Sequence, residues 1–492
     1  MSTHSQPRRT RLAVAILTGS AFLASLDLFI VNVAFGEIGR DFGTSSLGSL
    51  SWILNAYAVV YAALLVPMGR LTDRYGRKGG FVAGMLVFTL ASLACGFAPG
   101  VWWLVAFRVL QAAGAALMTP AALGLLLAAL PAQRRAAGAR LWAMTGAVAA
   151  AFGPAVGGGL VQISWQAAFW INVPIGLALT LAAIKLVPDV RHNADAPRPD
   201  LLGGAVIAVA TGALVLGLVQ GNDWGWSSGP ELAAWAVAAV GLGVLIRLIT
   251  HHEAPVIDPA LLRVPSFAWA NIAQLLFNIA FGIGLLSRVL WLQEHWGYSA
   301  VRTGLAVAVG PALVPVTSLL VTRLAPRAAA GRLVALGCLL FAAGAVWQAA
   351  ATGDQPAYAT QMLGPWVVSG IAVGLALPQL TAAGTAALPP HQASTGSGVV
   401  NMARQLGLVV GTSIMVGLLG TGVASLNRFQ HVWVFMAAAS AAAAIAALVM
   451  DAVRGPAAGP ADAAAITPQR GADTETSATD LTNPRPGAHT AL

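Results

Sequence analysis

Long apolar runs, broken by short polar turns, repeat along this chain from one end to the other. Each run holds about 20 residues, the length at which a helix crosses a hydrocarbon core of about 30 Å. Spans are predicted at 12–34, 50–69, 79–98, 101–129, 139–162, 167–187, 201–220, 231–250, 267–293, 303–322, 333–351, 361–387, 399–423 and 431–450. Arg8, Arg9 and Arg11 precede the first run, as in an export signal. The run is too long for a signal core and contains Asp27, so it reads as a span. After Ala452 the composition turns to Ala, Pro, Gly, Asp and Thr without apolar periodicity, and 451–492 is predicted to be a disordered tail.

The polar breaks carry charge unevenly. Arg8, Arg9 and Arg11 precede span one; Arg70, Arg74, Arg77 and Lys78 follow span two; Arg134, Arg135 and Arg140 follow span four. Lys185, Arg191 and Arg198 follow span six, and Arg323, Arg327 and Arg332 follow span ten. The odd-numbered loops contribute only Arg40, Arg302 and Arg428. Cytoplasmic loops hold the excess of Arg and Lys, so both termini are expected in the cytoplasm. Trp102, Trp103, Trp224 and Trp226 fall at odd loops, where interfacial aromatics belong.

Composition narrows the function. Only 9% of the 492 residues are charged, against about a quarter in a soluble domain. The net charge of +9 lies in short loops, with no basic stripe or interleaved aromatics, which argues against a nucleic-acid partner. Cys95 and Cys338 sit inside apolar runs, so neither a disulfide framework nor a cysteine metal site is expected. Lys78 precedes Gly79 and Lys185 precedes Leu186, so the chain has no Walker loop to bind ATP. The eight histidines fall in loops, tails or span edges without zinc spacing, and no nucleophile–base constellation is evident. No metal, cofactor or enzymatic activity is expected.

Ionisable residues inside spans are the sharper signal, because each costs roughly 2.5–3.5 kcal/mol at a helix centre. Asp27 lies in span one, Arg108 in span four, Arg288 in span nine and Arg404 near the start of span thirteen. Asp27 could carry protons, since desolvation favours a neutral carboxyl, or it could pair with Arg108 or a neighbouring helix. Arg108 keeps its proton and would act electrostatically, either on that acid or as a structural partner. Arg288 and Arg404 are expected to snorkel along their stems to an interface. Gly69, Asp73, Arg74, Gly76 and Arg77 crowd a two-helix turn in which Asp73 could accept from the backbone or pair with Arg77. Gly153, Pro154, Gly157 and Gly158 give span five a smooth, kinked face. Gly69-Arg70-Leu71-Thr72-Asp73-Arg74 has a faint echo in Thr322-Arg323-Leu324-Ala325-Pro326-Arg327, as in transporters built by duplication.

Taken in order, these residues resemble the fourteen-spanner drug:proton antiporter branch of the major facilitator superfamily, over nearly the whole chain before the tail. Leu26-Asp27 with Ile30-Val31-Asn32-Val33-Ala34 is similar to the branch's first-span motif, and Trp52 and Tyr57 to its second span. Gly69, Leu71, Asp73, Arg74, Gly76, Arg77 and Lys78 resemble the superfamily loop motif. Arg108, Gln111 and Gly114 resemble the fourth-span motif, with Ala112 where glycine is usual. Gly153, Pro154, Gly157 and Gly158 resemble the antiporter signature. Trp165, Phe169 and Ile171-Asn172-Val173-Pro174-Ile175-Gly176 are typical of the branch, as are Asn401, Arg404, Gln405 and Gly407.

The resemblance implies an all-α membrane protein of the major facilitator fold. Its parts would be a cytoplasmic N-terminus 1–11, a six-helix bundle 12–187, an extra hairpin 201–250, a second bundle 267–450 and the tail 451–492. It implies a monomer in the bacterial cytoplasmic membrane that exports hydrophobic drug-like or antibiotic molecules on the proton gradient, with Asp27 and Arg108 in proton coupling. The loop motif would latch one conformation, and Trp52, Tyr57, Gln111, Asn172, Asn401 and Gln405 would line the substrate cavity. Pro326 replaces the aspartate that would echo Asp73, which implies a one-sided latch. The late spans lack a clear acid, which favours a neutral or monocationic cargo. Rival readings are a carrier of another solute, such as a metabolite or siderophore, and an integral membrane lipid enzyme. The enzyme would need paired acids or histidines at a membrane face, which the sequence lacks. Topology is directly testable: a C-terminal fluorescent fusion should fold and glow, and a periplasmic reporter there should be inactive. Reporter activity would mean a miscounted span.

Overall fold

The computed structural model describes residues 5–44, 46–189, 199–251, 255–324, 328–386, 388, 393–420 and 424–453. Among them every regular element is helical. The long helices of the first half are α1 (Ser5–Asp41), α2 (Leu47–Tyr75), α3 (Arg77–Cys95), α4 (Val101–Ala129), α5 (Ala132–Ile163) and α6 (Asn172–Leu186). A pair, α7 (Leu201–Trp224) and α8 (Gly229–His251), separates these from the second half. That half comprises α9 (Pro265–Leu290), α10 (Ala300–Leu324), α11 (Ala330–Ala351), α12 (Leu363–Ala386), α13 (Ala393–Leu419) and α14 (Leu426–Ala452).

Thirteen of these segments are long and apolar enough to cross a membrane, and α5 adds a shorter apolar stretch, Phe152–Ile163. Each predicted span overlaps one long helix. The helices often run further, because apolarity marks where lipid lies and not where backbone hydrogen bonding stops. The 37 residues of α1 extend about 55 Å, well beyond a hydrocarbon core of about 30 Å.

Three of the boundary differences change the sequence reading. Span six begins as a separate turn, Ala167–Trp170, before α6 proper. α14 continues through Asp451 and Ala452, which had been assigned to the tail. α13 starts at Ala393, so Arg404 stands three turns inside the helix, half-buried, rather than beside a loop. The snorkelling explanation fails for it. The tail from 454 onward, and Arg191, Arg198, Ala325, Pro326 and Arg327, lie outside the described residues.

Packing follows the two halves. α1 lies along α5, α4 and α6; α4 lies along α2 and α3; and α3 touches α6. In the second half α9 lies along α13, α14 and α12, and α11 along α12 and α14. The halves meet along two seams, α5 on α10 and α2 on α13. α7 sits against α2 and α13, and α8 packs on α7. Only 6% of the apolar length of α8 is buried, so it faces the surroundings on nearly every side.

Backbones approach closely where side chains are absent, which in lipid replaces the hydrophobic drive for helix association. At the α5–α10 seam a Cβ on Gly158 would stand 2.6 Å from the carbonyl oxygen of Ala300 and 2.9 Å from the Cα of Val301. Neither backbone atom can yield without moving the helix. Gly158→Leu should therefore lower the melting temperature in detergent by an amount equivalent to about 1–3 kcal/mol. Gly159→Leu, where a side chain meets nothing within 4 Å, should not. Equal melting of the two variants would refute this seam.

Candidate functional site

Five helices of the first half converge on one carboxylate. Asp27 of α1 is fully buried, and its Oδ2 accepts a hydrogen bond from Nη1 of Arg108 on α4. Its Oδ1 accepts from Nε2 of Gln111 at 3.0 Å and from Nδ2 of Asn172 at 2.8 Å. Arg108, also fully buried, donates Nη1 to Oε1 of Gln111 at 2.7 Å and Nε to the carbonyl of Ile53 on α2 at 3.2 Å. Its guanidinium lies 4.1 Å from the ring centre of Tyr57 on α2, a cation–π contact. Asn172 donates as well to Oγ of Ser92 on α3 at 3.0 Å, and Ser92 donates to the carbonyl of Phe169 at 2.9 Å.

Local sequence makes this possible. The helix is interrupted at Ile171, so Asn172 opens α6 with its side chain directed at Asp27. Pro174 in the same first turn lacks only a donor that the helix would not use there. Gly84 and Gly114 let α3 and α4 touch: a Cβ on Gly114 would stand 2.5 Å from the backbone nitrogen of Phe88. Every group on the Asp27 oxygens donates, the pattern of a carboxylate paired with a guanidinium. A buried ion pair needs such extra hydrogen bonds to offset desolvation. Nη2 of Arg108 and Oδ1 of Asn172 are buried without partners.

The antiporter-like residues flank this cluster. Gly153 and Gly157 of α5 receive Phe29 and Ile30 of α1, while Gly158 and the carbonyl of Pro154 receive Ala300 and Gly304 of α10. One helix thus touches both the neighbourhood of Asp27 and the second half.

The loop residues form a second cluster at the α2–α3 turn. Gly76 takes a φ of 117°, a left-handed backbone that lets α3 begin one residue after α2 ends. Nε of Arg77 donates to Oδ1 of Asp73 at 2.7 Å, and its Nη1 reaches the carbonyl of Gly124 on α4. Lys78 donates to the carbonyl of Ile184 on α6 and Arg70 to the carbonyl of Pro255. Gly69 packs on Pro120, and the guanidinium of Arg74 lies 5.8 Å from the Tyr75 ring. The Asp73–Arg77 pair is a third exposed, so its own contribution is small, about 0–1 kcal/mol.

The residues expected to line a cavity divide. Tyr57, Gln111 and Asn172 are instead absorbed into the Asp27 cluster, because a buried ion pair recruits the nearest donors and ring. Asn401 bonds back to the carbonyl of Ser397 on its own helix. Trp52 on α2 and Gln405 on α13 remain, each burying a polar atom without a partner, Nε1 and Oε1 respectively. Between those helices Nδ2 of Asn55 donates to Oγ of Ser413 at 3.2 Å. The sequence reading missed Asn271, Gln274 and Asn278 on α9, three amides at helical spacing whose side-chain oxygens are buried without partners. Their three- and four-residue spacing in an apolar span was a legible signal. It missed Asp451 too, whose oxygens accept from the backbone nitrogens of Gly331 and Arg332 at the start of α11.

Arg288 does not snorkel. It is fully buried in the second half, held by the carbonyl of Gly284 and by Ser369, because its stem turns toward α12 and away from the helix end.

Comparison with known proteins gives the architecture its context. The sequence profile of the Major Facilitator Superfamily matches residues 17–412. The chain belongs to the Major Facilitator Superfamily. Its relatives in the superfamily include the "Methylenomycin A resistance protein" of Streptomyces coelicolor, 33% identical over 85% of this chain and 86% of the relative. Another is the "Cephamycin export protein CmcT" of Amycolatopsis lactamdurans, 31% identical over 83% of this chain and 85% of the relative. A solved POT family transporter in complex with a thioalcohol-conjugated peptide shares the fold, with a TM-score of 0.68 over 91% of this chain and 97% of its own, at 14% identity. The protein is a multi-pass membrane transporter of small molecules.

The ion pair predicts non-additive mutations. Arg108→Gln strands a buried carboxylate and should lose about 3–5 kcal/mol of stability. Adding Asp27→Asn removes the stranded charge and should restore a large part of that loss. Melting in detergent of the two single variants and the double variant measures the coupling, and simple additivity would refute the pair.

Proposed function

We propose that this transporter exports antibiotic-like small molecules across the bacterial cytoplasmic membrane in exchange for protons, as a monomer with both termini in the cytoplasm. The observation that carries the reading is the buried Asp27–Arg108 pair, set against a helix that touches both halves. Deprotonated, Asp27 ties α1 to α4 through a cation that does not lose its proton. Protonated, it loses the charge that attracts Arg108, and two amide donors that favoured the carboxylate lose strength as well. A proton therefore changes how firmly α1 is held. α1 lies in the glycine face of α5, and α5 lies on α10, so the change reaches the seam between halves. An equilibrium between conformations shifts when a ligand stabilises one more than the other.

The cargo site on this reading lies along α13, which packs on both α2 and α9, with Trp52, Gln405 and the amides of α9 offering unpartnered polar atoms within apolar walls. A few polar anchors in an apolar pocket suit diverse hydrophobic molecules. The energy source on this reading is the proton gradient, since the sequence has no Walker loop to bind ATP, and the reading calls for no cofactor. The printed names of the relatives, methylenomycin resistance and cephamycin export, favour antibiotics over metabolites or siderophores.

Everted membrane vesicles test this. An imposed pH gradient, acid inside, should drive uptake of a transported compound against its gradient, and an uncoupler should abolish it. Asp27→Asn strands the Arg108 charge and should melt earlier, but the folded protein that remains should lose uphill transport entirely, and Asp27→Glu should keep part. Uphill transport by the Asp27→Asn protein would mean that the carboxylate is structural only.

A further inference from the structure

The second half holds a buried cation that no carboxylate among the described residues neutralises. Arg288 of α9 is fully buried, as Arg108 is, yet no carboxylate among the described residues pairs with it. Its Nη1 donates to the carbonyl of Gly284 at 2.7 Å. Its Nη2 reaches Oγ of Ser369 on α12 at 3.3 Å, and its Nε is buried with no partner. Ser369 spends its own proton on the carbonyl of Pro365 at 2.9 Å, so its oxygen is an acceptor held ready for a donor.

The surroundings are built to hold a guanidinium. Gly284 clears its space: a Cβ there would stand 2.9 Å from Nη1, 3.2 Å from Sδ of Met436 and 3.3 Å from Phe341. Trp366 lies 4.3 Å beneath the guanidinium, and its own Nε1 is tied to the carbonyl of Val307 on α10 at 2.8 Å. The helix then passes into a π-helical turn, Trp291–His295, one turn beyond Arg288. Such turns are over-represented at functional sites.

The donors left over have a direction. Nε and Nη2 share one edge of a guanidinium, and this is the edge with one empty donor and one long contact. Two parallel N–H groups on that edge match the two oxygens of a carboxylate. A charge that stays fixed in lipid needs a partner, and no carboxylate among the described residues supplies one.

We propose that the Nε–Nη2 edge of Arg288 is an anion-binding site that takes a carboxylate carried by the transported molecule. The cargo it fits is an apolar organic acid, its carboxylate on Arg288 and its body against Trp366 and Phe341. This departs from the neutral or monocationic cargo expected from the sequence, where the lack of late acids was the only guide. The inference rests on the export reading for the carrier of the carboxylate. Binding itself is read without any gradient, so it stands or falls separately.

The experiment is a titration of the purified full-length protein in detergent, following tryptophan fluorescence. The probes are benzoate, its neutral counterpart benzamide, and chloride. Benzoate should give a saturable change that benzamide does not, and chloride should compete weakly. Arg288→Lys keeps the charge but loses the fork, so it should remain folded, as melting will show, and bind benzoate about tenfold more weakly. Arg288→Gln should abolish the response, with melting followed to establish that the protein is folded. Equal responses to benzoate and benzamide, or unchanged benzoate affinity in Arg288→Lys, would overturn the proposal. Chloride saturating the same signal at benzoate concentrations would assign the site to a free halide and overturn the carboxylate.

Discussion

A charge inside a lipid bilayer has no water to turn to, and the first half of this protein is arranged around that fact. Asp27 and Arg108 are each costly alone at a helix centre, by roughly 2.5–3.5 kcal/mol. Together they are tolerable only if the remaining donors and lone pairs also find partners. That requirement brings Gln111, Asn172, the carbonyl of Ile53 and the ring of Tyr57 to one point. The helix interruption before α6 and the close α3–α4 approach at Gly114 are consistent with it, since they place Asn172 and Ser92 beside the pair. The second half meets the same constraint differently, with a guanidinium cushioned by a carbonyl, a hydroxyl and an indole ring.

The contacts at the starts of α3 and α11 show a related asymmetry. In the first half a basic residue crosses from the α2–α3 turn to α4, and a lysine to α6, both onto backbone carbonyls. In the second half the roles reverse, and a carboxylate from the end of α14 accepts from backbone nitrogens that open α11. A helix start presents unsatisfied donors, so an acid suits that position as a base suits a helix end. Duplicated halves can keep the same joint while exchanging its chemistry. The aspartate lacking at Pro326 therefore does not by itself leave the second half without an acidic contact.

Much of this could be read before any coordinates. Spans are legible because a bilayer demands a fixed length of apolar helix, and Asp27 and Arg108 stand out because lipid penalises them. The glycine-rich face of α5 was legible as smoothness, though not as the join between α1 and α10. Side-chain direction was not legible. Gln111 and Asn172 looked equally suited to a cavity or to an ion pair, and only the positions of four other helices decide between them. Arg288 lies five residues before the predicted end of span nine, where a long stem could reach the interface, and nothing local says that it turns inward. Arg404 was misjudged because apolarity returns at Val399 while the helix begins at Ala393. Asn271, Gln274 and Asn278 were the opposite case, a stripe visible in the spacing and passed over.

The peripheral pair α7–α8 makes the two seams between the halves unequal. The α2–α13 seam has α7 laid against both its helices, whereas the α5–α10 seam is closed by glycine-lined backbone contact. Separating the halves at the first seam means sliding a protein surface over two neighbours; at the second it means admitting acyl chains between two backbones. The work of opening thus depends on the membrane at one edge far more than at the other. Bilayer thickness and lateral pressure, which act on a protein through its lipid-facing perimeter, gain a one-sided handle on its motion.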